Sequence, residues 1–296
     1  MKKIFLFILL LGFVSCNKSS NNKTETAKDT RSTETESKVK ADEVIKTDAH
    51  DIKNKLSGYY TGDFIAVKYN EQSDFTYNNK ITVSIDSMTG EILYGHSIVA
   101  GNERPFKGNY EFKNNLYIAV VSEPGDDKYD GKFSFTVYPD SQKISGVWNS
   151  FKDDVLVTIR EYDLKKREFV YDKNNSIPDY KDWNTLYEKN PKFPDKIEQI
   201  SGEISKINPS NTLLKKTDID NLYKGDLEVI RNSIYARHGY SFKSRKMRYF
   251  FDNEIDWYIP VSTDVRSELT DIEKKNIELI KRYEEHADNY YDEYGR

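Results

Sequence analysis

Thiols and imidazoles are few in this 296-residue chain: one cysteine, Cys16, and four histidines, His50, His96, His238 and His286. No two histidines share a metal-ligand spacing. HExxH, G-x-S-x-G and a glycine-rich phosphate loop are all missing, so the patterned zinc, serine-nucleophile and nucleotide chemistries have no foothold here, and no cofactor or metal is expected. The most suggestive polar pair is Arg237-His238. A guanidinium forks onto a carboxylate or phosphate and an imidazole titrates near neutrality, so the pair could bind an anion with help from Lys243, Arg245, Lys246 and Arg248. The competing role is structural. Both residues end a helical pattern, where partial negative charge favours cations by about 0.3–1 kcal/mol. We expect the structural role for Arg237 and leave His238 open.

Two acidic stretches and one aromatic cluster complete the inventory. Asp252-x-Glu254-x-Asp256 begins like a calcium loop, but Trp257 stands where that loop needs glycine and Thr263 where it needs glutamate. A solvated turn between helices is the expectation. Asp126-Asp127-x-x-Asp130-Gly131 reads as a hairpin turn. Tyr240, Phe242, Tyr249, Phe250, Phe251, Trp257 and Tyr258 could stack on sugar rings. A small domain must also concentrate large residues to be stable, so these are expected to be core, with Tyr258 or Tyr240 the exposed member.

The elements that must position these groups follow from periodicity. From Thr212 to Tyr283 the period is helical. Leu227, Ile230, Ile234 and Tyr235 share a face, and Gly239 follows as a left-handed cap. A second run covers Ser244–Asp252 with Met247, Phe250 and Phe251 as its apolar side. In the third, Thr270 and Glu273 make a capping box ahead of the stripe Ile272, Ile277, Ile280 and Tyr283. From Gly58 to about Tyr171 the pattern alternates instead: Ile81/Val83/Ile85, Leu116/Ile118/Val120, Phe133/Phe135/Val137 and Val155/Val157/Ile159. Turn signals such as Thr89-Gly90, Asn114-Asn115 and Pro139-Asp140 recur along this region. They predict an antiparallel meander of about eight strands, closing into a small barrel, with an open sandwich as the other arrangement. Inward aromatics favour a filled or narrow interior, with Trp148 and Arg160 stacked across its base. Between these regions, Pro178, Pro191, Pro194 and Pro209 punctuate a connector, with a short helix about Trp183, Leu186 and Tyr187. Residues 17–55 hold no Phe, Trp or Tyr and are rich in Ser, Thr, Asn, Lys and Glu. They read as a disordered tether with a mean reach on the order of 35 Å.

Met1-Lys2-Lys3, the apolar run Ile4–Val14 and Ser15-Cys16 resemble a bacterial lipoprotein signal peptide, with Phe13 where that family usually has Leu. The apolar run falls short of the roughly 20 residues that span a bilayer. The resemblance implies cleavage before Cys16 and lipidation of its thiol, which would leave no thiol for disulfide, metal or nucleophile. Asn17, rather than Asp, after the cysteine points to the outer membrane over the inner in a Gram-negative cell. Gly58-Tyr59-Tyr60-Thr61-Gly62 resembles the opening strand of lipocalin-like and avidin-like barrels, with Tyr60 in place of their Trp. Ile230 to Phe242, and within it Tyr235-Ala236-Arg237-His238-Gly239, resembles the signature of the YARHG domain. Trp257-Tyr258 and the Leu269–Ile277 segment extend the likeness. It implies an extracytoplasmic accessory module found beside envelope-associated and peptidase-like partners, and brings no reaction with it.

Together these readings predict an α+β multidomain chain. A signal peptide (1–15) and a tether (16–55) precede an antiparallel lipocalin/avidin-like β-barrel domain (56–172). A connector (173–211), a small helical YARHG domain (212–286) and a tail (287–296) follow. The expected function is non-catalytic binding at the cell envelope, through a lipid anchor, of a cell-wall glycan or an envelope protein. The alternatives are a carrier of a small apolar ligand inside the barrel and a hydrolase whose carboxylates the sequence does not pair. A net charge of −4 and export leave no reason to expect a nucleic-acid partner.

Overall fold

The computed structural model describes residues 56–69, 78–179 and 199–291. Cys16, the leader, the tether and the helix expected about Trp183 lie outside the described residues.

Eight antiparallel strands close into a barrel in chain order: β1 (Gly58–Tyr69), β2 (Asn79–Thr89), β3 (Ile92–Val99), β4 (Asn102–Lys113), β5 (Leu116–Ser122), β6 (Gly131–Tyr138), β7 (Lys143–Ser150) and β8 (Val157–Arg167). β1 pairs with both β2 and β8, so the sheet has no free edge. The β4–β5 turn shows how the sequence sets the corners. Asn114 and Asn115 both take positive φ, 52° and 61°, the two left-handed residues that a tight hairpin of this twist requires.

Side chains fill the interior. Tyr60, Phe64, Phe106, Phe133, Phe135, Trp148 and Tyr162 are buried together with the aliphatic residues of β2, β5 and β6. Phe133 lies 5.6 Å from Phe106 and 5.9 Å from Tyr162, ring centre to ring centre. Arg160 lies over the Phe64 ring at 4.9 Å and donates to the Phe64 carbonyl at 2.9 Å. Trp148 meets that same ring edge-on at 5.9 Å. The ring beneath Arg160 is therefore Phe64, not the expected Trp148.

Two strand faces differ from expectation. On β5, Tyr117, Ala119 and Val121 point inward, while Ile118 and Val120 are exposed. Both faces of this strand are apolar, so alternation alone does not choose between them. Pairing does: Tyr117, Ala119 and Val121 lie opposite Val137, Phe135 and Phe133 of β6. Val155, just before β8, and Val157 at its start are buried as expected, but along β8 the inward side then passes to Arg160, Tyr162 and Leu164. Register shifts on β1 between Ala66 and Tyr69, facing this stretch, accompany the change of side.

The second region has four helices among the described residues: α1 (Glu203–Lys206), α2 (Lys224–Arg237), α3 (Arg245–Glu254) and α4 (Asp271–Tyr290), with a 3-10 turn at Lys216–Asp218. Ser244 caps α3, and Thr270 with Glu273 forms the expected box at the start of α4. Leu227, Ile230, Phe242, Met247, Phe250, Phe251, Tyr258 and Ile280 make the core, and Ile177, Ile200 and Ile204 from the expected connector join it. Tyr258 is fully buried and donates to the Tyr240 carbonyl at 2.7 Å, so it is not the exposed aromatic. Ile272 is exposed rather than part of the α4 stripe, because Glu273 takes the inward position of that turn.

The two regions are joined by polar contacts. The Lys80 backbone N–H of β2 donates to Asp252 at 3.0 Å, Arg248 donates to Asn79 at 3.2 Å, and Gly101 N–H donates to Ser241 at 2.9 Å. Asp252 is thus a buried member of α3 facing the barrel rather than part of a solvated turn. Burial pushes its carboxyl up to about 6, against the pull of the Lys80 amide and charge and of Arg248.

Candidate functional site

Three places bring polar groups together. The first is the Arg237-His238 pair. Helix α2 delivers it, and the left-handed Gly239, at φ 73°, turns the chain away immediately after. Arg237 is 2 % exposed. Its Nε donates to the Asn175 carbonyl at 2.8 Å, one terminal nitrogen donates to Ser233 Oγ at 2.7 Å, and its guanidinium lies 5.7 Å from the Trp257 ring. Burial lowers its pKa to about 10, with Glu273 opposing. His238 is also buried. Its Nε2 is 2.9 Å from Glu273, and its ring stacks on Tyr171 at 4.3 Å with 19° between the planes.

Glu273 is the hub of this cluster. It accepts from the Thr270 backbone N–H and hydroxyl and from Tyr171 Oη, as well as facing His238. Burial works against its charge, but the hydrogen bonds from His238 and the Thr270 amide prevail and hold its carboxyl at about 2. An ionised carboxylate with this many donors orients its neighbours and has no spare lone pair to lend to a substrate. Arg237 does not converge on solvent with Lys243 or Arg245, as an anion site would require.

The second place is one end of the barrel. Glu123 accepts from Ser97 Oγ at 3.0 Å, Gly131 N–H at 2.7 Å and Trp148 Nε1 at 3.2 Å. Burial raises its pKa, and those three donors oppose the rise. Nearby, Arg104 forks onto Asp130 at 2.8 and 2.6 Å and also reaches Asp126. Asp130 further accepts the Gly125 and Asp127 amides. Its pKa is lowered: burial raises it, but Arg104 and the loop amides outweigh that. The acidic stretch expected as a hairpin turn is therefore a loop folded around a buried aspartate.

The third place is an open groove of about 620 Å³ on the helical region, lined by Asp220, Asn221, Tyr283, His286 and Tyr291. The loop before α2 supplies the acid and the amide, and the last turns of α4 supply the rings. His286 packs at 4.7 Å from Tyr290 and 6.1 Å, edge-on, from Tyr291. Here aromatic rings, a carboxylate and an amide meet solvent together. Among the described residues, no group of three or more His, Cys, Asp or Glu side chains could hold a metal ion.

The sequence marked Arg237, His238 and the capping role of Glu273. It gave no sign that Glu273 also binds His238, nor that Tyr171 and Asn175 reach the pair from beyond the barrel. The groove draws on two stretches far apart in the chain, residues 220–221 and 283–291, neither of which carries a motif. Comparison with curated proteins and with solved structures finds no match for the chain. Residues 204–285, which include the Arg237-His238 pair and Glu273, match the YARHG domain family.

Proposed function

We propose that the protein is a lipid-anchored, non-catalytic binding protein of the cell envelope, and that its helical domain holds cell-wall glycan. The observation that carries this reading is the groove of Asp220, Asn221, Tyr283, His286 and Tyr291. Flat rings suit the C–H faces of sugars, while a carboxylate and an amide suit their hydroxyls. The YARHG match is consistent with an accessory role at the envelope. The leader and Cys16 support the anchor, and the tether would give the body room to reach the wall. A binding role also fits the buried carboxylates. Glu123, Asp130 and Glu273 all accept from internal donors, as structural groups do. The filled barrel interior favours this reading over that of a carrier.

The test is co-sedimentation of the full chain with purified peptidoglycan sacculi. Wild type should sediment with the sacculi. Tyr283→Ala/Tyr291→Ala should reduce binding at least about tenfold, the loss of roughly 1.4 kcal/mol or more, with helical circular dichroism retained and a lower melting temperature, because both rings pack partly against the core. Unchanged binding by the double variant would remove the groove from the account, and no binding by wild type would remove the glycan. Separately, Cys16→Ala should release the protein from the membrane fraction.

A further inference from the structure

Beyond the groove, the signature residues themselves hold something: a stretch of this same chain. After β8 ends at Arg167, the chain runs across the helical domain without joining any strand ladder. Phe169 lies against Gly239, close enough that a Cβ built on the glycine would come within 2.9 Å of the ring. Tyr171 stacks on His238 and donates its hydroxyl to Glu273 at 3.2 Å. Between them Val170 points to solvent, 66 % exposed, so the stretch alternates as an extended chain does. A turn follows, with Asn175 N–H donating to the Asp172 carbonyl at 3.2 Å. It presents two carbonyls in succession: Arg237 Nε takes that of Asn175, and Trp257 Nε1 takes that of Ser176, each at 2.8 Å.

These contacts are of the kind that recognise extended peptides: donors aimed at main-chain carbonyls, and places for alternate side chains. They come from consecutive signature residues, Arg237, His238 and Gly239, with Trp257 beside them. We propose that the YARHG signature is a docking groove for an extended peptide of the form aromatic-x-aromatic followed by a turn, and that in this chain residues 169–177 fill it from within. The glycine leaves room for the first ring, the histidine stacks on the second, and the arginine and tryptophan hold the main chain after the turn. A segment tethered this close competes at an effective concentration in the millimolar range. An outside segment of the same chemistry therefore gains entry only when the internal one is released.

The test uses the full chain and a fluorescein-labelled peptide of residues 167–179. The strap variant Phe169→Ser/Tyr171→Ser should bind the peptide at least about tenfold more tightly than wild type does. Serine at the same two positions of the peptide should abolish binding, and Trp257→Phe added to the strap variant should weaken it several-fold. If the strap variant loses helical structure, saturating peptide should restore its helical circular dichroism. Equal affinity for wild type and strap variant would overturn the proposal. So would the lack of both binding and restoration, or undiminished binding of the serine peptide.

Discussion

The barrel and the helical domain both bury charge, and they use it differently. At the barrel end, the partners of Glu123 and Asp130 lie in the barrel itself, on β3, β4, β6 and β7 and the loop that β5 and β6 flank. The network closes a loop over its own fold. In the helical domain, Arg237 and His238 extend to Asn175 and Tyr171, residues that enter from the barrel side of the chain. One network is self-contained, and the other stitches a neighbouring segment in place. Damage to the first should stay within the barrel, whereas damage to the second should be felt along the strap.

The largest effect expected on this contrast comes from Gly239→Val. A Cβ there would lie 2.4 Å from Val261 Cγ2 and 2.9 Å from Phe169, on a backbone at φ 73°. Strain and overpacking together should cost about 4 kcal/mol, read as a lower denaturant midpoint. An unchanged midpoint would mean that the glycine is not needed for the turn. Next come two truncations of similar size, about 3 kcal/mol each from unpaired buried groups and lost packing. Glu123→Ala should accelerate amide exchange within the barrel only. Arg237→Ala should accelerate it both in α2 and across residues 169–177. Identical exchange maps for the two variants would erase the distinction between the networks.

Acid separates the networks further. The Glu273 carboxyl lies at about 2 in the folded protein, against an ordinary 4.5. Its contribution, on the order of 3 kcal/mol, is complete above pH 4.5 and is lost as pH falls toward 2. His238→Ala should flatten that section of the stability profile relative to wild type. Asp252, at the joint, has the opposite sign. Its carboxyl is raised to about 6 from 3.8, so ionising it costs the folded state and stability drops as pH rises between those values. Asp252→Asn should remove that slope. Its gain at pH 7 should be smaller, about 1 kcal/mol, because Lys80 and Arg248 lose their counter-charge. Parallel pH profiles for wild type and Asp252→Asn would contradict the assignment.

Local signals in the sequence were enough for most element ends. Thr270 with Glu273, Gly239 and the Asn114-Asn115 turn each act within a few residues of themselves, and each stands where expected. What local signals do not carry is a choice made by a partner. The inward face of β5 is set by β6, and the shift of side along β8 faces irregular pairing on β1. The same holds at the signature. Arg237 and His238 were conspicuous as residue types, but their burial depends on Glu273, 35 residues on from His238, and on Asn175, 62 residues before Arg237. Asp252 likewise looked like a member of an acidic turn until β2 was placed against it.

Closure of the barrel also decides how it would bear a load. Tyr59 pairs with Arg167, so the chain enters and leaves the barrel at adjacent ends of one antiparallel pair. Tension between those two points pulls β1 and β8 apart along their hydrogen bonds, which cross the strands at right angles. The bonds then break in succession, as in a zipper, instead of sharing the force. For a body held at one terminus while its helical domain grips a fixed surface, the β1–β8 seam shares the pull with the polar joints at Asn79, Lys80 and Gly101. The contact of Arg167 with the Asp256 carbonyl, at 3.0 Å, bridges the exit of the barrel to the helical domain and takes some of that strain before the seam does.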